Sequence, residues 1–277
     1  MDIEQLIKSH DFGGTTIVMT GGTGVLGSEM ACALVRSGAN VAILARDPSR
    51  ADALKNRLAQ GPGSAILVRA DILSQESLLK AAGEIQAGFG SVHALINAAG
   101  GNAPGATTHP TQRFFDLPEE ALKQVVDLNL LGTIVPSQVF GRFLAEAGKG
   151  NIINIASLAG FRPLTRTIAY SAAKAAVSNF TQWLAVHMAQ EYDPRIRVNA
   201  IAPGFFHTHQ NHFLLYDEKT GDLTPRGRSI IDHTPMRRFG KPEDLLGVLF
   251  WLLSSGAEFV TGTVLAVDGG FSAFSGV

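Results

Sequence analysis

Short apolar runs alternate with longer amphipathic stretches along most of the 277-residue chain. The apolar runs are five to seven residues long and rich in β-branched side chains, a pattern that predicts buried strands. We place seven of them at residues 15–20, 40–45, 65–70, 92–97, 151–157, 196–201 and 263–267.

The stretches between these runs have helical spacing and end at glycine or proline. The main predicted helices cover about 25–37, 49–60, 74–88, 118–147, 168–192 and 242–254. Strict alternation of strand and helix is typical of an α/β fold, with a parallel sheet covered by helices on both faces. We therefore predict a single doubly wound domain over residues 1–277. Its polar, glycine-punctuated stretch at about 205–240 is predicted to form a substrate lid.

Composition limits the possible functions. Hydrophobic residues make up 45% of the chain and the net charge is only −1, which argues against nucleic acid as a partner. The single cysteine, Cys32, excludes an internal disulfide and fits a reducing compartment. The first residues do not resemble a signal peptide, and we find no apolar run of about 20 residues that could cross a bilayer. We expect a cytoplasmic protein with no membrane partner.

A glycine-rich turn connects the first strand to the first helix. It reads Gly21-Gly22-Thr23-Gly24-Val25-Leu26-Gly27. In this strand–turn–helix context glycines allow a tight turn and close approach of a pyrophosphate, which would bind at the helix N-terminus. The turn predicts a Rossmann-type dinucleotide site with contacts from Gly21, Thr23, Gly24, Val25, Leu26 and Gly27.

The end of the second strand bears on the choice of cofactor. It reads Ala45-Arg46-Asp47. An acid at this point accepts hydrogen bonds from a ribose 2′-hydroxyl, whereas an arginine pairs with a 2′-phosphate. Arg46 favours NADP(H), and Asp47 leaves NAD(H) open.

A second set of residues suggests proton-transfer chemistry. Tyr170 and Lys174 are four residues apart in a predicted helix and so share one face. A nearby ammonium is expected to lower the pKa of the phenol and so make it a proton donor near neutral pH. Ser157, at the end of the fifth strand, is placed to hold a carbonyl oxygen beside it. Asn129 lies inside a predicted helix, where it is either a tolerated polar residue or the centre of a kink that holds a water near Lys174.

Together these motifs resemble the short-chain dehydrogenase/reductase family from about residue 12 to residue 271. The resemblance implies that Tyr170 is the general acid/base, that Ser157 positions the carbonyl, and that Lys174 binds the nicotinamide ribose. Asn129 would hold a proton-relay water. One departure is Val25, which stands where the family has its middle glycine. The remaining implied cofactor residues are Asp71, Ile72, Asn97, Ala98, Ala99, Gly100, Pro203, Gly204 and Thr208.

Two stretches, one from Ala98 to Pro104 and one from Asn211 to Met236, are similar to the D-mannonate oxidoreductase (fructuronate reductase) type of this family. A lid rich in cationic and hydrogen-bonding groups suits a hydroxylated anion. We expect hydride transfer on a sugar acid; another polyol, a ketose or a 3-oxoacyl substrate is the alternative. The candidate substrate residues are Asn102, Ser157, Tyr170, His207, Asn211, Arg226 and Arg228.

Three further expectations follow. The string His207, His209 and His212 lacks regular helical spacing and a carboxylate within it, so we predict substrate contacts and no metal.

The resemblance implies a homotetramer formed by the helices at 118–147 and 168–192. A dinucleotide-binding regulator without turnover is a remote alternative that the presence of both Tyr170 and Lys174 disfavours.

Overall fold

The computed structural model describes residues 10–208 and 212–276. Seven strands in this part of the chain form one sheet in the order β3-β2-β1-β4-β5-β6-β7, and every neighbouring pair is parallel. This confirms the predicted fold class. The strands are β1 Thr16–Thr20, β2 Asn40–Ala45, β3 Ser64–Arg69, β4 Ala94–Asn97, β5 Gly150–Ile155, β6 Ile196–Pro203 and β7 Val264–Val267.

Helices cover both faces of the sheet because successive strand residues point to opposite sides. Ile17 and Met19 of β1 belong to one apolar cluster, and Val18 between them belongs to another. The first cluster includes side chains of α1 and α9, and the second includes side chains of α3, α5 and α6. The α-helices in the described part are α1 Val25–Arg36, α2 Asp52–Leu58, α3 Gln75–Phe89, α4 Glu119–Val126, α5 Gly132–Ala147, α6 Ile168–Glu191, α7 His212–Leu215, α8 Pro225–Asp232 and α9 Leu246–Leu253.

The order of the strands reverses direction between β1 and β4, and this is where open α/β sheets bind ligands. Thr20 of β1 is in register with Asn97 of β4, which is in register with Asn154 of β5. The Asn97 amide donates to Asn154 Oδ1 at 2.9 Å and to Ser137 Oγ at 3.0 Å. These buried polar contacts fix the carboxyl ends of the central strands to α5.

The helical region predicted at 118–147 contains a single π-helical turn, Asp127–Leu131, between α4 and α5. Asn129 is fully buried in this turn, and its side-chain amide donates to the Val125 carbonyl at 2.8 Å. Because the side chain takes the carbonyl four residues back, it competes with the ordinary helical hydrogen bond. The helix is therefore locally irregular at Asn129, in line with the second of the two alternatives, and the water near Lys174 stays a prediction.

Residues 205–240 include two short helices, α7 and α8, rather than loop alone. Leu215, Ile230 and Phe239 form a small apolar core for this segment, and Phe205 packs against it. Asn211 and His209, predicted as candidate lid residues, lie outside the described residues. Across residues 10–208 and 212–276, no helix has the length and apolar character of a membrane span.

Candidate active site

A cavity of about 500 Å³ opens at the carboxyl ends of β1, β4, β5 and β6. It brings together residues that the sequence placed far apart, from the glycine-rich turn to the start of the lid. Its lining comprises Gly21, Gly24, Val25, Leu26, Gly27, Ala98, Gly100, Gly101, Asn102, Ile155, Ala156, Ser157, Tyr170, Lys174, Pro203, Gly204, Phe205, Phe206 and Thr208.

The backbone of the glycine-rich turn forms one wall of the cavity, because glycine has no side chain. Gly21 has φ +68°, and a Cβ added there would lie 2.5 Å from the backbone of Ala98. A Cβ on Gly27 would lie 2.2 Å from the Gly21 carbonyl oxygen. Gly24 is the N-cap of α1, and within the described residues no side chain caps the N–H groups of that first turn. These donors, at the positive end of the helix dipole, fit the pyrophosphate of a dinucleotide.

Ser157 and Tyr170 meet on the opposite wall. Ser157 follows β5 directly and is buried, and its hydroxyl accepts a hydrogen bond from Ala159 N at 3.2 Å. Its side chain also hydrogen-bonds the phenol of Tyr170, which lies in the first turn of α6 and is half-buried. The two hydroxyls are therefore placed to contact the same oxygen atom of a ligand.

The pKa of Tyr170 differs from the sequence-based expectation. Burial raises the pKa of the phenol above its usual value of 10.0, and the hydrogen bond with Ser157 lowers it by a smaller amount. Lys174 Nζ lies 5.8 Å from the centre of the Tyr170 ring. The prediction that the pKa of Tyr170 lies below its usual value is wrong, because burial raises it by more than the hydrogen bond with Ser157 lowers it.

Lys174 lies one helical turn after Tyr170 in α6 and is almost completely buried. Its ammonium donates to the Ile155 carbonyl at 2.7 Å, at the end of β5. Burial lowers the pKa of Lys174 from 10.5 to about 8. The side chain is therefore a cation at neutral pH but loses its proton more readily than an exposed lysine.

The π-helical turn at Asp127–Leu131 contacts the loop beside Lys174. Asn129 Nδ2 donates to the Gly101 carbonyl at 2.7 Å, and Gly101 N donates back to Asn129 Oδ1 at 3.1 Å. A Cβ added at Gly100 would lie 2.6 Å from Asn129 Oδ1 and 3.1 Å from Lys174 Nζ. Asn129 thus supports the backbone that forms the cavity floor beside Lys174.

Several predicted cofactor residues lie around the cavity and not on its wall. Arg46 is exposed at the end of β2, and Thr23 is exposed in the glycine-rich turn. Asp71 is exposed, and its carboxylate accepts from Leu73 N at 3.0 Å, while the half-buried Ile72 follows it. Ala99 N donates to Thr20 Oγ1 at 3.1 Å. Their contacts with a cofactor stay predictions.

The predicted substrate residues divide into two groups. Asn102 lies on the cavity wall, as does Thr208, which was predicted to be near the nicotinamide. His207 Nε2 lies 2.9 Å from His212 Nδ1, and the described lining of the cavity does not include either ring. Arg226 is half-buried at the start of α8, and Arg228 is exposed on the same helix. In the described residues no group of three His, Cys, Asp or Glu side chains forms a potential metal site.

Sequence reasoning missed several members of the wall. Ile155 and Ala156 immediately precede Ser157, and Phe205 and Phe206 immediately follow Pro203-Gly204. Their positions in the sequence could have indicated them, because residues next to a strand end lie at the edge of the sheet where ligands bind. They give the cavity an apolar surface suited to a flat ring.

Comparison with known proteins decides the family. A family model described as short chain dehydrogenase matches residues 15–219. The chain belongs to the short-chain dehydrogenase family. One relative is the "Uncharacterized oxidoreductase UxuB" of Bacillus subtilis (strain 168). It is 47% identical to this chain over 282 residues, which cover 98% of this chain and 100% of the relative.

Two solved structures resemble this short-chain dehydrogenase over almost its whole length. A "putative D-Mannonate oxidoreductase" from Haemophilus influenzae with bound NAD is 42% identical, with a TM-score of 0.90 and coverage of 98% of this chain and 100% of that one. A "putative 2-deoxy-d-gluconate 3-dehydrogenase" from Agrobacterium tumefaciens with bound NADP is 29% identical, with a TM-score of 0.82 and coverage of 96% and 99%. This short-chain dehydrogenase is an NAD(P)-dependent oxidoreductase.

Proposed function

We propose that the protein interconverts the carbonyl group and the secondary alcohol of a sugar acid, of the fructuronate and mannonate type. The observation that carries the reaction type is the Ser157–Tyr170 hydrogen bond on the cavity wall, with buried Lys174 behind it. A bound nicotinamide cofactor would supply or accept the hydride. In the direction of reduction, the carbonyl carbon gains that hydride and its oxygen gains a proton.

The proton is assigned to Tyr170. Burial raises the pKa of its phenol, so the hydroxyl is protonated at neutral pH and can donate. Ser157 would hold the carbonyl oxygen beside that hydroxyl. Lys174 would favour the phenolate that remains after donation, because its ammonium lies behind the ring. Asn129 would keep Gly100 and Gly101 in place and hold a relay water near Lys174.

We favour NADP(H) over NAD(H). The carboxyl end of β2 presents exposed Arg46, which is suited to a 2′-phosphate. Asp47 is engaged locally, since its carboxylate accepts from Ser49 N at 3.2 Å and caps the following turn. The resemblance to proteins with bound NAD and with bound NADP is compatible with either cofactor.

The anionic substrate class is supported by the lid. Arg226 is half-buried at the start of α8, and α8 packs on a core that includes Phe205 of the cavity wall. A carboxylate is the complement that a guanidinium binds best. The likeness to a protein named for D-mannonate points to the same class. A neutral ketose or polyol, or a 3-oxoacyl compound, is the alternative.

We also propose that the chain forms a cytoplasmic homotetramer. Trp183, Val186 and Tyr192 of the α6 region are more than half exposed, and large apolar side chains of this kind mark protein interfaces. Cys32 is a buried free thiol, which suits a reducing compartment.

The proposal is tested by kinetics with sugar acids and their neutral counterparts, using NADPH and NADH. We expect Tyr170→Phe to lower kcat by at least about 10³-fold with cofactor affinity retained, since the ring stays and only the proton is lost. The conservative variant Tyr192→Phe, on an exposed ring, is the control. Activity of Tyr170→Phe within a few-fold of wild type would contradict the mechanism, and wild-type protein that binds cofactor without turnover would favour a regulator.

A further inference from the structure

The loop that follows β4 forms the part of the cavity wall beside the buried lysine. A Cβ added at Gly100 would lie 3.1 Å from Lys174 Nζ. Asn102 comes two residues later and lines the same cavity as Ser157 and Tyr170. Asn102 therefore lies near the place where the proposed reaction occurs, and its contacts determine what it can offer to a substrate.

The side-chain amide of Asn102 has a fixed orientation. Asn102 Nδ2 donates to Thr107 Oγ1 at 2.7 Å, and Thr107 Oγ1 donates to the Ala103 carbonyl at 2.9 Å. A hydroxyl has one proton and a carbonyl can only accept, so the Thr107 proton is used on Ala103. Thr107 Oγ1 can then only accept from Asn102. This requirement places the NH₂ end of the amide, and not its oxygen, against Thr107.

The turn that carries Thr107 is held on two sides. Pro104–Ala106 form a single 3₁₀ turn, and the fully buried Ala106 packs in an apolar cluster with side chains of α4 and α6. The next residue, Thr108, donates from its N to the carbonyl of Arg166 at 3.0 Å. Arg166 has a φ of 75°, which is in the left-handed region. These contacts hold the Thr107 hydroxyl in position without a ligand.

The amide of Asn102 keeps hydrogen-bonding groups for a ligand. Within the described residues its Oδ1 accepts no hydrogen bond, and Nδ2 uses one of its two protons, on Thr107. Two neighbouring hydroxyls of a sugar chain match this pair of groups, because one can donate to Oδ1 and the other can accept from the second N–H. A carboxylate cannot donate to Oδ1, and a methylene group can bond to neither. The fixed amide is thus suited to hydroxyl groups.

We propose that Asn102 selects substrates with a hydroxyl group on the carbon next to the reacting carbonyl, and that Thr107 is the residue that positions its amide. This inference deepens the proposed function and rests on its hydride-transfer site. Ser157 and Tyr170 hold the carbonyl oxygen, and the neighbouring hydroxyl donates to Asn102 Oδ1. The carboxylate of a sugar acid lies away from this amide. A 3-oxoacyl compound is disfavoured, because methylene groups flank its carbonyl.

The test compares a keto sugar acid with its deoxy analogue, in which hydrogen replaces the hydroxyl next to the carbonyl. Asn102→Leu should lower kcat/KM about 10-fold for the hydroxylated acid, as expected for a lost hydrogen bond, and less than about 3-fold for the analogue. Thr107→Val keeps the shape of the side chain but cannot accept, so it should reduce the preference for the hydroxylated acid about 5-fold. Thr107→Ser should restore it.

Two controls separate substrate selection from a structural effect. Thr111→Val removes an exposed hydroxyl from the same loop, one that contacts His109 Nδ1 at 3.0 Å, and should leave the preference unchanged. The melting temperature and the affinity for NADPH of each variant report on the fold and the cofactor site. A merely structural loss would lower kcat/KM for both substrates alike.

The outcomes separate this inference from the proposed function. If the sugar acid is turned over and Asn102→Leu affects both substrates equally, the role of Asn102 is wrong and the proposed function stands. An unchanged preference in Thr107→Val would overturn the positioning role of Thr107. If only neutral ketoses are turned over and Asn102→Leu removes the preference for the hydroxylated one, the sugar-acid assignment fails and the role of Asn102 stands. Turnover of 3-oxoacyl compounds alone, or of no carbonyl compound, would overturn both.

Discussion

Arg46 and Asp47 stand side by side at the carboxyl end of β2, where a dinucleotide presents its adenosine ribose. Arg46 is exposed, and the Asp47 carboxylate caps the next turn through Ser49. A flexible guanidinium at this point can reach the 2′-phosphate of a bound NADP(H). The proposed preference for NADP(H) therefore depends on one side chain.

We predict that Arg46→Ala raises KM for NADPH about 10- to 100-fold and changes KM for NADH by less than about 3-fold, because a charge-assisted contact is lost only with the phosphate. Initial-rate kinetics with both cofactors measure this. Arg36→Ala, which removes an exposed arginine at the end of α1, controls for net charge. Equal losses with both cofactors would show that Arg46 contacts a group they share.

Tyr170, Lys174 and Ser157 could be predicted from spacing because a helix repeat and a strand end fix where their side chains go. The pKa of Tyr170 could not, since it depends on burial, which the sequence does not report.

At the scale of elements, the π-helical turn joins the longest helical region to the cavity floor. Asn129 bonds the Val125 carbonyl and both backbone groups of Gly101 with one side chain. The turn also frees the Asn129 carbonyl for Thr133 Oγ1, at 2.8 Å. A single amide therefore stabilises both the helix irregularity and the loop beside Lys174.

We predict that Asn129→Ala lowers the free energy of unfolding by about 1–3 kcal/mol, because the Val125 carbonyl and the half-buried polar groups of Gly101 lose this hydrogen-bond partner. It should also lower kcat more than it raises KM, since the loop beside Lys174 is displaced. Chemical denaturation and initial rates measure the two effects. Gln138→Ala, on an exposed position of α5, is the control. Unchanged stability would mean that packing, and not the amide, holds the π-helical turn.

At the scale of the whole molecule, the parallel sheet with helices on both faces was predictable because the chain alternates strand and helix almost without interruption. The segments whose structure differs from the sequence-based prediction are those where tertiary contacts outweigh the local pattern of apolar and polar residues. Residues 205–240 looked polar and irregular, yet α8 forms there because Leu215, Ile230 and Phe239 bury one another. Apolar residues spread over so long a segment give no periodic signal.

One face of the molecule, formed by α5 and α6, carries a row of aromatic side chains. Phe180, Trp183 and His187 stack in sequence along it, Tyr192 meets His187 edge-on, and Trp183 is 57% exposed. We define this row of four rings as the aromatic row. The aromatic row lines a cleft of about 860 Å³ together with residues of α5. A row of exposed rings beside a cleft is the kind of surface that a second copy of the chain would cover.

We predict that Trp183→Glu shifts the protein from the proposed tetramer toward dimer or monomer at micromolar concentration, because a charge would be buried in the proposed interface. Light scattering coupled to size exclusion measures the mass. Leu79→Glu, on the exposed side of α3, is the matched control and should leave the mass unchanged. A monomeric wild type, or a Trp183→Glu variant of unchanged mass, would contradict this interface.

The left-handed backbone at Arg166 also has an evolutionary consequence. A residue with a side chain adopts this conformation at a cost of about 1 kcal/mol, which glycine avoids. Selection for stability alone would therefore replace the arginine with glycine.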